Sequence, residues 1–401
     1  MSEWKIYKAE EFCLTVTDGT HDSPKPQPCG RYLITSKHLK SSGIDFSSAN
    51  KISEEDYQKI IKRSNVEQYD ILFSMIGTVG NIHRVTTVDV DYAVKNMGIF
   101  KLGGDNVKSL WLYYYLQSPQ AKEYIKSRIS GSTQGYLTLG SLREFPVSVP
   151  PLAEQKRIAD ILSAIDDKIE LNRRINANLE QQAQALYKSW FVDNKKDDWK
   201  EVPLSEVADF VGGYSYKGNE LVESSMTAMA TIKNFERKGG FKVDGFKDIV
   251  VSNKLKAEHH ANLFDILVAH TDLTQNADVI GNAEMLLTFD KYSDIIFSMD
   301  LVKVLPKQTF PYKYLLAALL KNPHFKKHCM GYVNGTTVLH MSKKALPEYV
   351  INLPSAEEIQ SMDNAFKTYY LKMAEILQEN NNLSTLRDTL LPKLMSGEIK
   401  I

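Results

Sequence analysis

Polar loops whose side chains suit contacts with nucleic acid occur twice in this sequence, at matching positions in its two halves. The loops span residues 17–26, 35–43, 77–81 and 130–136 in the first half and residues 212–219, 231–240, 270–278 and 334–340 in the second. Lysine, serine and threonine commonly contact phosphates, whereas asparagine, glutamine and histidine can bind base edges. The candidate DNA-binding residues are Thr20, His21, Lys37, His38, Thr78, Asn81, Ser132, Thr133, Gln134, Tyr136, Tyr214, Ser215, Tyr216, Lys217, Lys233, Asn234, Thr274, Gln275, Asn276, Thr336, Thr337 and His340. Taken singly, any of these loops is more simply an ordinary turn; their recurrence favours binding.

No motif typical of catalysis accompanies these loops. The sequence has no Walker loop, and "GTVG" at residues 77–80 is too short for a dinucleotide fingerprint, so it predicts a tight turn. The Asn/Asp-Pro-Pro-aromatic tetrad of adenine methyltransferases is also missing. His324 and His328 stand four apart, but no third ligand lies near them in the sequence. We therefore predict no catalytic residue, no metal site and no cofactor bound by this chain.

Length and composition limit the alternatives. A chain of 401 residues is too long for one compact core, so two or more domains are expected. Lysine plus arginine number 49, as do aspartate plus glutamate, so any surface for a polyanion must be local. Three widely spaced cysteines predict neither a disulfide framework nor a zinc cluster. Without a long apolar run or a secretory signal, we expect a cytoplasmic protein with no membrane partner.

An internal repeat organises the chain. The segment "EWKIYKAEEF" around Trp4 matches "DWKEVPLSEVADF" around Trp199, and "YDILFS" around Asp70 matches "FDILVA" around Asp265. Each of these matches is weak alone, but they occur in the same order in both halves. A repeat of this length indicates duplicated domains rather than a solenoid.

Each copy mixes strands and helices. Short apolar runs such as "YDILFSMIG" and "FDILVAHT" predict buried strands, while "SLWLYYYLQSPQAKEYIKSRI" has the apolar spacing of a helix. The Trp and Tyr cluster in that helix could stack on bases or belong to the core, and the helical spacing favours the core. The predicted class is α+β, with two similar α/β domains.

Two long helices follow the two copies. The segment from Leu152 to about Phe191 contains no glycine or proline, and the second helix begins after Pro354 with Ser355 and Glu358 spaced as a capping box. The predicted coiled-coil seam, repeating every seven residues, consists of Ile158, Ile165, Asn172, Leu179 and Leu186 in the first helix and Met362, Tyr369, Ile376, Leu383 and Leu390 in the second.

Other positions on the first helix complete this prediction. Ile161 and Ile175 are placed on the intermediate seam, with Leu162 and Ile169 beside it. Asn172 either fixes the register of the pair or is tolerated at a hydrated position. Asp166 and Asp167, next to Lys168, are predicted to form solvated ion pairs.

These elements predict four regions: a domain at residues 1–150, a helix at 151–193, a domain at 194–353 and a helix at 354–401. The first helix leads from one domain to the other, and the second leads away from the second domain. If the helices pair, they must therefore be antiparallel, with the halves related by an approximate two-fold axis. Such a pair would hold two similar surfaces at a fixed spacing, which suits a ligand such as DNA that repeats every ~34 Å.

Several segments resemble a known family. "PPLAEQKRIADILSAIDDKIELNRRINANLEQQAQALYKSWFVD" and the terminal "LLPKLMSGEI" are similar to conserved regions of the specificity subunit of Type I restriction-modification systems. "TDGTHDSP" and "SGSTQGYLTLGSL" resemble loops of that family's target recognition domains. In the second copy, "LPSAEEIQSM" departs from the pattern because it lacks the double proline and the "EQKRI" string.

The resemblance implies a function and a set of partners. Each of two target recognition domains would read one half of a split site in double-stranded DNA, and the helices would set the gap. Two modification subunits using S-adenosylmethionine and restriction subunits using ATP would be the partners. Two other hypotheses are an enzyme acting alone, which the missing motifs disfavour, and a coiled-coil scaffold that binds only protein, which the neutral charge allows.

Overall fold

The computed structural model describes residues 4–40, 43–131 and 135–400. They form two compact units: the first contains the residues up to Lys168 together with those from Ser384 onward, and the second contains residues 169–383. Each predicted domain therefore folds together with parts of both long helices.

The first half contains eleven strands and five short helices before the first long helix begins. The strands are β1 Lys5–Lys8, β2 Thr15–Asp18, β3 Arg31–Ile34, β4 Leu39–Lys40, β5 Gly43–Ile44, β6 Asn50–Ile52, β7 Ile71–Ser74, β8 Ile82–Arg84, β9 Tyr92–Val94, β10 Met97–Lys101 and β11 Pro146–Val149. The helices are α1 Ala9–Phe12, α2 Glu54–Ser64, α3 Asn106–Tyr115, α4 Pro119–Arg128, α5 Leu139–Arg143 and the long α6 Leu152–Lys188, which ends in a π-helical turn at Ser189–Asp193. These counts refer to the described residues.

The second half repeats much of this order but, along its described residues, has no α-helix in the place of α2. Its strands are β12 Lys200–Pro203, β13 Ala208–Gly212, β14 Thr227–Ala230, β15 Lys247–Asp248, β16 Ile266–Ala269, β17 Thr271–Asp272, β18 Ala283–Met285, β19 Asp294–Phe297, β20 Leu301–Pro306, β21 Val333–Asn334, β22 Leu339–Met341 and β23 Val350–Leu353. Its helices are α7 Leu204–Val207, α8 Lys313–Leu320, α9 Pro323–Met330, α10 Ala345–Glu348 and the long α11 Ala356–Met395.

Among the described residues, three sheets of the first half have counterparts in the second, whereas the pair β4-β5 and the sheet β17-β22-β21 have none. The four-stranded sheet β2-β10-β7-β8 has its counterpart in β13-β20-β16-β18, and the three-stranded sheet β6-β3-β9 in β15-β14-β19. Each three-stranded sheet contains one parallel pair, β3 with β9 and β14 with β19. The pairs β1-β11 and β12-β23 also match. The predicted duplication of an α/β domain is confirmed.

The repeated "DIL" segments begin the central strands. Every residue of β7 and of β16 is buried, as expected for strands covered on both faces. The residue before each Asp, Tyr69 or Phe264, has a φ of 69°, a left-handed conformation that is uncommon outside glycine. The Asp side chains, at Asp70 and Asp265, accept backbone N–H groups of the turns that precede them. The tight turn therefore explains why this segment is similar in the two copies.

The aromatic cluster of α3 belongs to the core of the first unit. Trp111 and Tyr114 are almost fully buried, and Trp111 Nε1 donates to Ser148 O at 3.1 Å. The predicted core role of this cluster is confirmed, and a base-stacking platform is excluded for these two side chains.

The long helices run antiparallel within each unit. In the first unit, Ile158 and Leu162 of α6 share a core with Leu391 and Leu394 of α11. In the second unit, Asn172 Nδ2 donates to Asn380 Oδ1 at 2.9 Å.

A second set of contacts in the first unit corrects the prediction for Asp166. Its carboxylate accepts the hydroxyl of Tyr114 at 2.8 Å and the Arg387 guanidinium at 2.9 Å. Asp166 is thus not a solvated ion-pair residue, because it joins α6 to the core and to α11 at the same point.

The intermediate seam of α6 lies one residue further along than predicted. Leu162 and Ile169 are 0% and 4% exposed, whereas Ile161 and Ile175 are 37% and 36% exposed. The buried residues therefore alternate by four and three, which is the a/d spacing of a coiled coil. Ile158, Ile165 and Asn172 are buried as predicted, while Leu179 and Leu186 are half-buried against the core of the second unit.

The seam of α11 is also displaced. Met362 and Ile376 are buried, but Tyr369, Leu383 and Leu390 are only half-buried. The most buried positions of the second unit's part of α11 include Phe366, at 0% exposed. Polar and apolar residues alternate closely in this helix, so several seven-residue stripes fit its sequence.

Along the described residues, no helix has both the length and the apolar character needed to cross a membrane.

Candidate nucleic-acid interface

Two matching 3₁₀ turns, Ser36–His38 and Ile232–Asn234, follow β3 and β14. In the first turn, Thr35 N donates to His38 Nδ1 at 2.9 Å. In the second, Thr231 N donates to Asn234 Oδ1 at 2.8 Å, and Asn234 Nδ2 donates to Lys242 O at 2.7 Å. Both side chains therefore close their own turn.

Burial excludes His38 and Asn234 from base reading. They are 1% and 0% exposed, and burial lowers the pKa of His38 below its usual range. The prediction that they bind DNA is wrong, because both side chains are buried, Asn234 bonds to the backbone through both its polar atoms, and His38 accepts a backbone N–H through Nδ1. Lys37 and Lys233, which directly precede His38 and Asn234, are exposed and can contact phosphate.

A polar network surrounds His21 in the first unit. The carboxylate of Asp18, which is nearly buried, lies 2.9 Å from His21 Nε2 and also accepts Arg63 of α2. His21 Nδ1 lies 2.8 Å from Asn96 Oδ1, and the His21 side chain is 63% exposed. The sequence analysis did not identify Arg63, because this residue lies on a helix more than forty residues from the loop that it contacts.

Thr20 differs from its neighbour His21. It is 8% exposed, and its Oγ1 accepts Asp22 N at 3.1 Å. The prediction that Thr20 contacts DNA is therefore wrong, since the hydroxyl stabilises its own loop.

The other first-unit candidates lie on two turns. Thr78 and Asn81 are exposed on a tight turn in which Gly77 and Gly80 have φ values of 79° and 99°, so the predicted turn is confirmed. Tyr136 is 43% exposed, and its backbone exchanges hydrogen bonds with Ser130. Ser132, Thr133 and Gln134 lie outside the described residues.

Tyr214 has a structural role in the second unit. It is 1% exposed, and its hydroxyl donates to Glu220 Oε1 at 2.7 Å. The backbone N–H of Lys217 and this hydroxyl lower the pKa of Glu220 to about 2. The prediction that Tyr214 contacts DNA is wrong, while Ser215 and Lys217 are exposed and Tyr216 is half-buried.

Asp272 organises another loop. It is buried, and its Oδ1 accepts both the N–H and the hydroxyl of Thr274, at 2.7 and 2.9 Å. Thr274 is half-buried and bonds inside its own loop, and its assignment to DNA contact stays a prediction. Gln275 and Asn276 beside it are exposed.

The structure brings three predicted loops of the second unit together. A groove of about 500 Å³ is lined by Lys233 and Arg237 of one loop and by Leu273 of the next. Gln275 Nε2 donates to Thr336 O at 2.7 Å, which joins the third. Thr336, Thr337 and His340 are exposed there. Arg237 was missed, although an arginine inside a predicted reading loop is a direct signal for base or phosphate contact.

Metal chemistry finds no support in this surface. Among the described residues, no group of three or more His, Cys, Asp or Glu side chains is placed to hold a metal ion. His328 Nε2 instead lies 2.8 Å from Ala345 O. The exposed groups are cations, amides, hydroxyls and the imidazoles of His21 and His340 on loops, which suits hydrogen bonding to a polyanion with polar edges.

Known proteins resemble this chain along most of its length. A family model described as the Type I restriction modification DNA specificity domain matches residues 1–181 and 196–384. The Type I restriction enzyme HindI specificity subunit of Haemophilus influenzae is 25% identical, with 100% of both chains covered. The MjaIX specificity subunit of Methanocaldococcus jannaschii is 26% identical over 74% of this chain and 70% of that protein.

A solved structure shares the fold. The S subunit of a Type-I restriction-modification system from M. genitalium superposes with a TM-score of 0.53, covering 98% of this chain and 96% of that one. The two sequences are 17% identical, so this likeness concerns the fold alone.

Proposed function

Because the chain belongs to the family of Type I restriction modification DNA specificity domains and is a DNA sequence-specificity subunit, we propose that each of its units reads one half of a bipartite DNA site. The observation that carries the proposal is that three sheets recur with the same strand order in the two halves. The same fold, with exposed lysines at equivalent turns and different loop side chains elsewhere, can bind two similar backbones and two different base sequences.

The exposed side chains divide into two roles. Lys37 and Lys233 would contact phosphates and position each unit. In the first unit, His21 and Arg63 carry donors beside a buried carboxylate that fixes their orientation. In the second unit, Arg237 and Gln275 take the corresponding reading role.

The antiparallel helices would set the gap between the half-sites and bind two modification subunits. We propose that S-adenosylmethionine and ATP bind to the modification and restriction subunits, respectively, and that this chain carries out no catalytic step. The complex would act in the cytoplasm. A scaffold that binds only protein is not favoured, because the matching family is defined by DNA specificity.

Mapping methylated adenines in cells that express the full chain with its modification subunit tests this proposal. We expect a split recognition sequence, and His21→Ala should relax the preference in one half only. Methylation without sequence preference would favour the protein-only scaffold, and modification of DNA by this chain alone would favour an enzyme. Equal loss of preference in both halves on replacing His21 would contradict separate reading.

A further inference from the structure

A buried ion cluster joins α6 to the recognition fold of the second unit. Lys321, the C-cap of α8, places Nζ 2.6 Å from Glu180 Oε1 of α6 and 2.5 Å from Glu284 Oε2 of β18. The Glu284 side chain is 4% exposed. Glu180 and Lys321 also line a cavity of about 550 Å³, so ionic contacts add to the apolar packing of Leu179 and Ala183 in connecting the helix to the domain.

The same cluster reaches a predicted reading loop. The second carboxylate oxygen of Glu284 accepts Gly240 N at 2.6 Å, and Gly240 ends the loop that carries Lys233 and Arg237. Asn282, the residue directly before β18, donates Nδ2 to Glu236 O at 2.7 Å. Hydrogen bonds and ion pairs therefore run without interruption from α6 to this loop.

The charges in this cluster depend on one another. Burial raises the pKa of Glu284, and Lys321 opposes that effect. Burial alone would lower the pKa of Lys321, but Glu284 and Glu180 outweigh it and raise that pKa. Removing Lys321 or Glu284 therefore leaves an uncompensated charge in a poorly solvated place, whereas removing Glu180, whose side chain is 33% exposed, leaves Lys321 paired with Glu284 but no longer tied to α6.

The fold itself does not require these charges. Glu284 pairs with Leu267 in the sheet, and the equivalent partner of Leu72 in the first unit is His83. Lys321 in "LKNP" corresponds to Gln117 in "LQSP". The first unit builds the same sheet with a histidine and a glutamine at these places, so the cluster is specific to the second unit.

We propose that Glu180 is a positioning residue that holds the loop at residues 236–240, through Lys321 and Glu284, in the conformation that reads the second half-site. This inference rests on the proposed function, and it makes the long helix part of the reading apparatus of the second unit. Glu180 itself contacts no base in this scheme.

The test compares Glu180→Gln with a matched control in the full chain bound to its modification subunit. Glu170→Gln removes a carboxylate from the same helix; among the described residues, Glu170 forms ion pairs with the exposed Arg173 and Arg174 of that helix. Methylation frequencies over a library of randomised sites report each half-site separately. Glu180→Gln should reduce discrimination at the second half-site by roughly tenfold, with the first unchanged, because a displaced loop loses about one good base contact.

Rescue distinguishes positioning from general stability. Glu180→Asp keeps the carboxylate, and the flexible Lys321 can follow it, so most of the preference should return. A parental preference in Glu180→Gln, equal relaxation of both half-sites, or the same loss in Glu170→Gln would each overturn the inference. If the parental chain itself shows no split preference, the proposed function fails, which is a distinguishable result.

A second variant avoids leaving a buried charge unpaired. Glu284→His combined with Lys321→Gln reproduces the pair found in the first unit. We expect this chain to fold, to keep the first half-site and to relax the second. Retention of both half-site preferences by a folded double variant would show that the cluster does not position the loop.

Discussion

At the scale of single residues, adjacent side chains of one turn have different roles. Lys233 is exposed, whereas Asn234 is fully buried and bonds to two backbone groups. Residue type alone suggests DNA contact for both. Only the turn geometry separates the phosphate-binding candidate from the residue that holds the turn.

We therefore predict opposite effects for substitutions at these neighbours. Lys233→Ala should weaken DNA binding, lower the slope of log affinity against log salt by about one and leave the sequence preference unchanged. Asn234→Ala should lower the free energy of unfolding by about 1–3 kcal/mol, because two buried backbone groups lose their partners. Salt titrations of DNA binding and urea unfolding measure the two effects. A changed preference in Lys233→Ala would reassign that lysine to base reading.

His83 should make the stability of the first unit depend on pH. Burial lowers its pKa from the ordinary 6.5 to about 4 in the folded protein. Between these values the unfolded chain binds the proton more strongly, so the free energy of unfolding falls as the pH decreases from about 6.5 to about 4. Above pH 6.5 both states are neutral at this residue and the effect vanishes.

The matched variant for this effect is His83→Gln. In the parent protein, His83 should lower the free energy of unfolding by on the order of 1–3 kcal/mol between pH 7 and pH 4.5, and the variant should lack this decrease. Urea unfolding at both pH values measures it. Because the carboxylates titrate in both proteins, the difference between the two pH profiles isolates His83. Identical profiles would show that His83 is solvated in the folded state.

At the scale of elements, the pair of long helices shows what sequence patterns can resolve. The seven-residue spacing of Ile158, Ile165 and Asn172 identifies their buried face correctly. The spacing cannot decide whether Ile161 or Leu162 is buried, because both residues are apolar and adjacent in the sequence. Leu162 is buried since it, and not Ile161, faces the core shared with Leu391 and Leu394.

In the loops, too, the sequence predicts the position of the element better than the role of each side chain. The positions of the reading loops followed from the internal repeat, and Lys37, His21 and Gln275 are exposed as a binding role requires. His38, Thr20, Tyr214 and Asn234 are instead bound to their own turns or nearby loops. Side chains that bind their own backbone have the same residue types as side chains that bind DNA, so a single sequence cannot separate the two.

The contributions of the buried Asn172 and Asn380 side chains to the free energy of unfolding should depend on each other. Asn172 is 1% exposed and donates to Asn380 and Glu379. Asn172→Leu alone should lower the free energy of unfolding by about 1–3 kcal/mol because Asn380 loses a buried partner. Adding Asn380→Leu should recover part of that loss. A double-mutant cycle in urea measures the coupling, and strictly additive losses would mean that the two amides do not interact.

At the scale of the whole molecule, the proposed gap depends on helix length. Removing residues 169–175 and 377–383 deletes one heptad from each helix and preserves the seam. At ~1.5 Å per residue this shortens each helix by about 10 Å, or ~3 base pairs of DNA. We expect a gap shortened by that amount in the methylated sites. Replacing both heptads by others of equal length is the control, and an unchanged gap after deletion would contradict the proposed spacing role.

The division of the chain between the two units also determines the order in which it can mature on the ribosome. The core of the first unit includes Leu391, Leu394 and Met395, which are synthesised after the whole second unit, whereas the second unit uses one continuous segment. The second unit can therefore close first, although its residues emerge later than most of the first unit. Until these residues of α11 have emerged, the first unit exposes the apolar surface that they will cover, and nascent chains stalled before Leu391 should depend on chaperones.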